Sequence, residues 1–150
     1  MSGSSEHWQP KTMPSILISH AARALARRAD AKLRDIGIST SQFPVLVALK
    51  DGTQLTQKEL AQLANVEQPS MAQLLARMER DGLIHREADP KDGRSSLISL
   101  TDNATSLLSP VRTILSQGNQ DALVGFNDTE IEQLVTLLHR LISNVGDGRC

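Results

Sequence analysis

A chain of 150 residues is long enough for one domain with its own core and too short for two ordinary ones. Aromatic residues are confined to Trp8, Phe43 and Phe126, so the core must be aliphatic, as where helices pack on helices, and a base-stacking surface for single-stranded nucleic acid is disfavoured. The formal net charge of −1 hides an uneven distribution: residues 1–100 hold 13 Lys/Arg against 11 Asp/Glu, residues 101–150 only 3 against 6, a modest fit to a basic head joined to acidic helices.

The single cysteine, Cys150, cannot build an internal disulfide or a clustered thiolate metal site, which suits a reducing compartment. It also lacks any fixed electropositive setting that would make it an oxidant sensor. No charged region followed by a sustained apolar stretch opens the chain, and Ile16-Leu17-Ile18 is far too short to span a bilayer. The expectation is a cytoplasmic, unexported protein without a membrane partner.

Residues 1–13 mix Ser, Gly and Pro with little apolar periodicity and are expected to form a flexible N-terminal arm. From Pro14 to about residue 36 the pattern is helical, with Ile18, Ala22, Leu25, Ala29, Leu33 and Ile36 on one stripe and Gly37 as the stop. Arg23, Arg27, Lys32 and Arg34 occupy the opposite face, most simply a solvated surface, with the lining of an anionic ligand site as the alternative. Ser41 precedes a short helix with Phe43, Leu46, Val47 and Leu49, closed by Asp51-Gly52.

Thr56-Gln57-Lys58-Glu59 matches a capping box, and the helix it starts is expected to bury Leu60, Leu63 and Ala64. Asn65-Val66-Glu67 reads as a tight turn, after which Pro69 opens the next helix. Met71, Leu74, Leu75 and Met78 recur at three and four, which turns them to the core, while Gln73, Ala76 and Arg80 point away with Ser70 and Arg77 beside them. A polar surface with small residues among the long ones can lie close to base edges.

Gly82 ends that helix, and the runs Leu83 to Glu87 and Ser96 to Leu100 read as strands separated by the turn-rich Ala88 to Ser95, which carries Lys91 and Arg94. Thr101 caps a helix through Leu107, Leu108, Val111, Ile114 and Leu115, which Pro110 is expected to bend or divide. Asn127-Asp128-Thr129-Glu130 starts the last helix. Its stripe of Ile131, Leu134, Val135, Leu138, Leu141, Ile142 and Val145 repeats close to every three and a half residues, a period suited to packing along another helix.

A helix narrow enough for a major groove followed by a basic hairpin is a nucleic-acid-reading device. No rival chemistry competes with it. The serines lie in caps, turns and the hairpin, with neither a nucleophile elbow nor a phosphate-cradling glycine loop, so no enzyme is expected. His20 and His139 sit on helix flanks, His7 and His85 carry no sharper signal, and no histidine pair has metal-ligand spacing with a third ligand nearby. Neither a metal nor a cofactor is expected.

The stretch from Leu55 to Thr101 resembles the MarR family of bacterial winged-helix regulators. LTQKELA, the EQPSM junction, MERDGLI and DPKDGR followed by a strand and Leu100-Thr101 carry the resemblance, and EQPSM is most like the SlyA-type branch. It implies a mainly α fold with a small β-hairpin wing. A single domain would span 14–150, with the winged helix-turn-helix at about 41–101 and dimerisation helices at about 14–36 and 102–145.

The function so implied is a sequence-specific DNA-binding transcriptional regulator. It would act as a repressor, binding a palindromic promoter site in double-stranded DNA as a homodimer and released by a small anionic or phenolic effector. The alternative is a winged-helix protein-interaction module without regulated DNA binding.

The DNA-facing set is then Gln68, Ser70, Gln73 and Arg77 on the helix and Lys91 and Arg94 on the wing. The resemblance places the family's minor-groove arginine on Arg94 and its acidic brace on Asp92; Lys91 reads equally well as a solvated turn lysine. Two departures stand out. Gly93 occupies a place where relatives often have a second basic residue, and Gln73 one where many have Arg, so charge attraction is weaker while Gln73 keeps the capacity to pair with adenine.

Overall fold

In the computed structural model, which describes residues 8–146, the chain forms six α-helices and one antiparallel hairpin. They run α1 (Pro14–Leu33), α2 (Phe43–Leu49), α3 (Gln57–Ala64), α4 (Gln68–Arg80), β1 (Ile84–Asp89), β2 (Asp92–Leu100), α5 (Asp102–Ala122) and α6 (Asp128–Val145). This is the mainly α winged-helix architecture expected from the sequence. His7 and Cys150 lie outside the described residues; of the expected N-terminal arm, Pro10–Thr12 forms a 3-10 turn. Contacts divide the chain into one compact unit through Leu115 and a second from Ser116 onward.

The core belongs to the first unit and is aliphatic, as the scarcity of aromatics requires. Leu33, Leu46, Leu49, Leu60, Met71, Leu75, Met78 and Ile98 are all buried. α4 divides as its spacing predicts: Met71, Leu74, Leu75 and Met78 are buried, and Ser70, Gln73, Ala76, Arg77 and Arg80 exposed. Two shorter helices bury different faces from those expected. Leu63 is 68% and Val47 61% exposed, while Ala61 and Val45 take the core positions. With so few turns, the neighbours α2 and α3 pack against decide which face is covered, and periodicity alone does not.

Local chemistry explains the ends of the elements. Gly37 adopts φ +77 after a 3-10 turn that closes α1, and Ile38 N–H reaches back to the Leu33 carbonyl at 3.2 Å. The 3-10 turn Thr40–Gln42, rather than a cap at Ser41, leads into α2. Its first N–H and the Thr40 hydroxyl are taken by the Asp30 carboxylate of α1 at 2.7 and 3.2 Å. At α3 the capping box is half formed. Glu59 N–H donates to Thr56 Oγ1 at 3.2 Å, but the Thr56 hydroxyl itself donates to the Glu59 carboxylate at 3.0 Å, which therefore does not reach the cap's own N–H. At α6 the box is complete, with Asn127 and Glu130 each accepting the other's N–H at 2.8 and 3.0 Å.

α5 runs unbroken through Pro110, so of the two expected outcomes, a bend or a division, the division does not occur. The ring removes one helical hydrogen bond, yet Ala104 and Val111 on either side are buried, and Leu107, Leu108, Ile114 and Leu115 pack on the same core. Burial along a continuous stripe keeps the helix together across the missing bond.

Thr101 ties three elements to one point. Its hydroxyl donates to the Gly82 carbonyl at 2.7 Å and accepts the Ala104 N–H at 3.1 Å, while its own N–H donates to the Leu83 carbonyl at 3.0 Å. The exit of α4, the root of the hairpin and the start of α5 are thereby joined. Thr101→Val, which keeps the shape and removes the hydroxyl, should lower stability by about 1–3 kcal/mol through the lost cap and hydrogen bond. The urea midpoint should fall with an unchanged m value; an unchanged midpoint would show that the junction holds without the hydroxyl.

Candidate nucleic-acid interface

α3 and α4 form the helix-turn-helix. Asn65 takes the left-handed conformation at φ 52 and ends α3, and Val66 N–H bonds the Ala61 carbonyl at 3.0 Å. Asparagine tolerates this conformation better than most residues. α4 starts at Gln68 with Pro69 in its first turn, where the missing amide hydrogen costs nothing. Of the DNA-facing residues read from the sequence, Gln68, Ser70, Gln73 and Arg77 are all exposed along this helix. Ser70, Gln73 and Arg77 follow one another at three and four, so they share a face.

The wing is longer and its turn tighter than the sequence suggested. β1 and β2 pair from Ile84↔Leu100 to Ala88↔Ser96, and then Asp89 pairs with Asp92. Only Pro90 and Lys91 remain between the strands, and Gly93, Arg94 and Ser95 are set outside the regular register. A bulge of this kind redirects side chains away from strand alternation, and Arg94 lies at its centre. Asp89 and Asp92 stabilise the irregularity: Asp89 Oδ1 accepts the Lys91 N–H at 2.9 Å, its Oδ2 accepts the Ser95 hydroxyl at 3.3 Å, and Asp92 Oδ1 accepts the Arg94 N–H at 3.0 Å.

Asp92 thus braces the main chain of Arg94. The ion pairs among the described residues are Arg80–Asp81 and Glu79–Arg86, so Arg94 is not paired with Asp92 and its guanidinium is unengaged by a carboxylate. Leu55 adds a bridge to the wing from outside the hairpin, exchanging hydrogen bonds with Ile98 at 3.1 and 2.8 Å. That fixes the wing against the entry to α3.

Two clefts flank α4. One, of about 560 Å³, opens between the start of α3, the start of α4 and the wing, where Lys58, Gln68, Arg86 and Arg94 meet Asp89 and Asp92. The other, of about 460 Å³, joins Arg34, Ser39 and Ser41 near the end of α1 to Arg77 and Asp81. The structure therefore gathers Gln68 and Arg94 at one end of the helix face and places Arg77 at another cleft, with Lys91 at the wing turn. Lys58 and Arg86 were not singled out from the sequence: Lys58 reads as part of a cap, and only the folded hairpin brings Arg86 to the cleft.

Gly93 has nothing within 4 Å of where a Cβ would stand, so a side chain fits there. Gly93→Arg, which restores the second basic residue common among relatives, should tighten duplex binding and steepen the salt dependence by about 0.9 per added phosphate contact. Titrations at several salt concentrations measure it, and an unchanged slope would place position 93 away from the backbone.

A helix-turn-helix with a bulged basic wing, built on helices, defines the winged-helix class of transcriptional regulators. Residues 36–95 match the MarR family. The chain is 30% identical over 115 residues to the uncharacterized HTH-type transcriptional regulator YwoH of Bacillus subtilis, an alignment covering 77% of this chain and 83% of that protein. Among solved structures it is similar to the transcriptional regulator SlyA, at 26% identity and a TM-score of 0.79 over 86% of this chain and 91% of that one. It is also similar to S. aureus MepR in complex with DNA, at 28% identity and a TM-score of 0.78 over 89% and 98%. The chain belongs to the MarR family.

Proposed function

We propose that the protein binds double-stranded DNA as a homodimer, reads a palindromic promoter site and represses transcription there. The observation that carries this reading is the division of α4, whose apolar face is wholly buried while Ser70, Gln73 and Arg77 stay exposed, beside a wing that presents Arg94 from a bulge. The related MepR structure is a complex with DNA. Two recognition helices held about one DNA turn, roughly 34 Å, apart by a twofold axis would meet successive major grooves. No described helix is long and apolar enough to cross a membrane.

Titration with a mixed-sequence duplex at several salt concentrations tests the reading. Binding should weaken linearly in log salt, with a slope set by the phosphates neutralised; absence of binding at low salt would leave only the protein-interaction reading. Within α4, Gln73 supplies specificity together with Ser70, and Arg77 and Gln68 lie nearer the backbone. Gln73→Ala should cost roughly 1–3 kcal/mol per half-site at matched bases and relax preference there. An equal loss on every sequence would assign Gln73 to the backbone instead.

Release by a small anionic or phenolic effector completes the proposal. The cleft joining Arg34 to Arg77 supports it, because an anion held there competes for a side chain of the reading face. Benzoate should then displace duplex from the protein but not from Arg34→Gln, and equal displacement from both would place the effector elsewhere.

A further inference from the structure

We infer that Arg86 is a second backbone-phosphate contact of the wing cleft and that Glu79 is the positioning residue that aims it. The inference rests on the DNA-binding reading above and adds residues that neither the sequence nor the wing arginine accounts for. Arg86 stands on β1, on the face of the hairpin shared with Ile84 and Ile98, both of which are buried. Its own side chain is only 29% exposed. The side chain is therefore largely packed while still lining the cleft, unlike a solvated surface arginine, which would sweep freely.

The geometry of the one ion pair made by Arg86 decides what the group can do. Glu79 Oε2, from the last turn of α4, lies 3.3 Å from Arg86 Nε. A carboxylate held at Nε leaves the two terminal nitrogens, with their four N–H donors, for another acceptor. Arg86 lines the cleft together with Lys58, Gln68 and Arg94, which come from α3, α4 and β2. Side chains from four elements thus converge where a backbone running between the helix-turn-helix and the wing would pass.

Asp89 and Asp92, the acids that line the cleft, do not cancel this arrangement. Both Asp89 oxygens and one Asp92 oxygen are engaged by donors of the hairpin tip, and Lys58 and Arg94 are in no ion pair among the described residues. A planar guanidinium with a fixed fork is the side chain best matched to a phosphate. Glu79 adds orientation at the cost of partly neutralising the charge it aims.

Titrations of a fluorescent mixed-sequence duplex against the full chain, Arg86→Gln, Glu79→Ala and the double variant separate the roles, because backbone contacts need no specific site. Arg86→Gln should weaken binding about tenfold near 0.1–0.2 M salt and flatten the dimer's log–log salt slope by about two units, from roughly 0.9 per contact. Glu79→Ala should weaken binding several-fold with the slope unchanged, since the arginine charge remains, and should add nothing once Arg86 is Gln. Thermal melting of each variant keeps folding in view.

Wild-type slope and affinity retained by a folded Arg86→Gln would overturn the phosphate contact, as would a lower melting temperature with an unchanged slope. Tighter binding and a steeper slope in Glu79→Ala would overturn the positioning role and make Glu79 a brake. Failure of the parent chain to bind any duplex would instead remove the DNA-binding reading itself, a result distinct from all of these.

Discussion

Arg94→Ala is expected to weaken DNA binding more than any other single substitution in the chain while leaving folding and dimerisation intact. The side chain is exposed, makes no ion pair with a described residue and stands in a bulge closed by main-chain and aspartate contacts that do not involve the guanidinium. Removing it therefore costs the hairpin little. In a narrow minor groove, where the negative potential is strongest, the same group would be strongly attracted. In the proposed dimer one charge per subunit is lost, so the slope of log affinity against log salt should become shallower by about two units and affinity should fall by more than about tenfold at physiological salt. Equal affinities and slopes for the two proteins would mean that the wing lies outside the groove.

Removal of residues 127–150 should give aggregated or unfolded protein. α6 contains no buried residue, and Leu134, Val135, Leu138, Ile142 and Val145 are between 36% and 73% exposed. At the other end of the chain, Leu17, Ile18 and Leu25 on α1 are equally uncovered. So much aliphatic surface on two helices is more than scattered apolar residues explain, and the proposed partner that would cover it is a second copy of the chain. A milder variant separates association from folding. Leu138→Glu places a charge in the middle of the stripe, where an uncompensated carboxylate in an apolar interface is strongly unfavourable. It should shift sedimentation toward monomer while helicity persists. A soluble, stable monomer after the deletion, or an unchanged dimer in Leu138→Glu, would contradict this architecture.

What the sequence discloses depends on whether one element or several must be known together. The face of α4 was legible because thirteen residues offer enough turns for a spacing of three and four to show, and because burial follows that spacing without exception. The caps at Thr56 and Asn127 were legible as local chemistry, although the carboxylate at Glu59 turned to its neighbour's hydroxyl rather than to an N–H. Val47 and Leu63 misled because helices of seven and eight residues, about two turns each, present several plausible inward faces. Pro110 did not divide α5 because a local penalty was outweighed by burial on both sides.

The candidate site divides in the same way. Gln73 and Arg77 are visible as an outward face, and Arg94 by its place among turn residues. The bulge that carries Arg94 depends on a register shift between two strands, and Leu55 enters through a bridge to a residue 43 positions further along. Arg86 reads in the sequence as one polar residue of a strand. Its meaning comes from Glu79 on another element and from the cleft that α3, α4 and the hairpin enclose. Pairings across such separations leave no periodic trace.

In the proposed dimer, two copies of α4 and of the wing read one DNA site about a twofold axis. Selection of bound sequences from a random duplex pool measures binding, symmetry and half-site spacing together. An inverted repeat should emerge, with half-site centres about one helical turn, roughly 10 base pairs, apart and an A/T-rich flank where Arg94 enters the narrow minor groove. Enrichment of a single unrepeated motif, or of no sequence at all, would contradict the account.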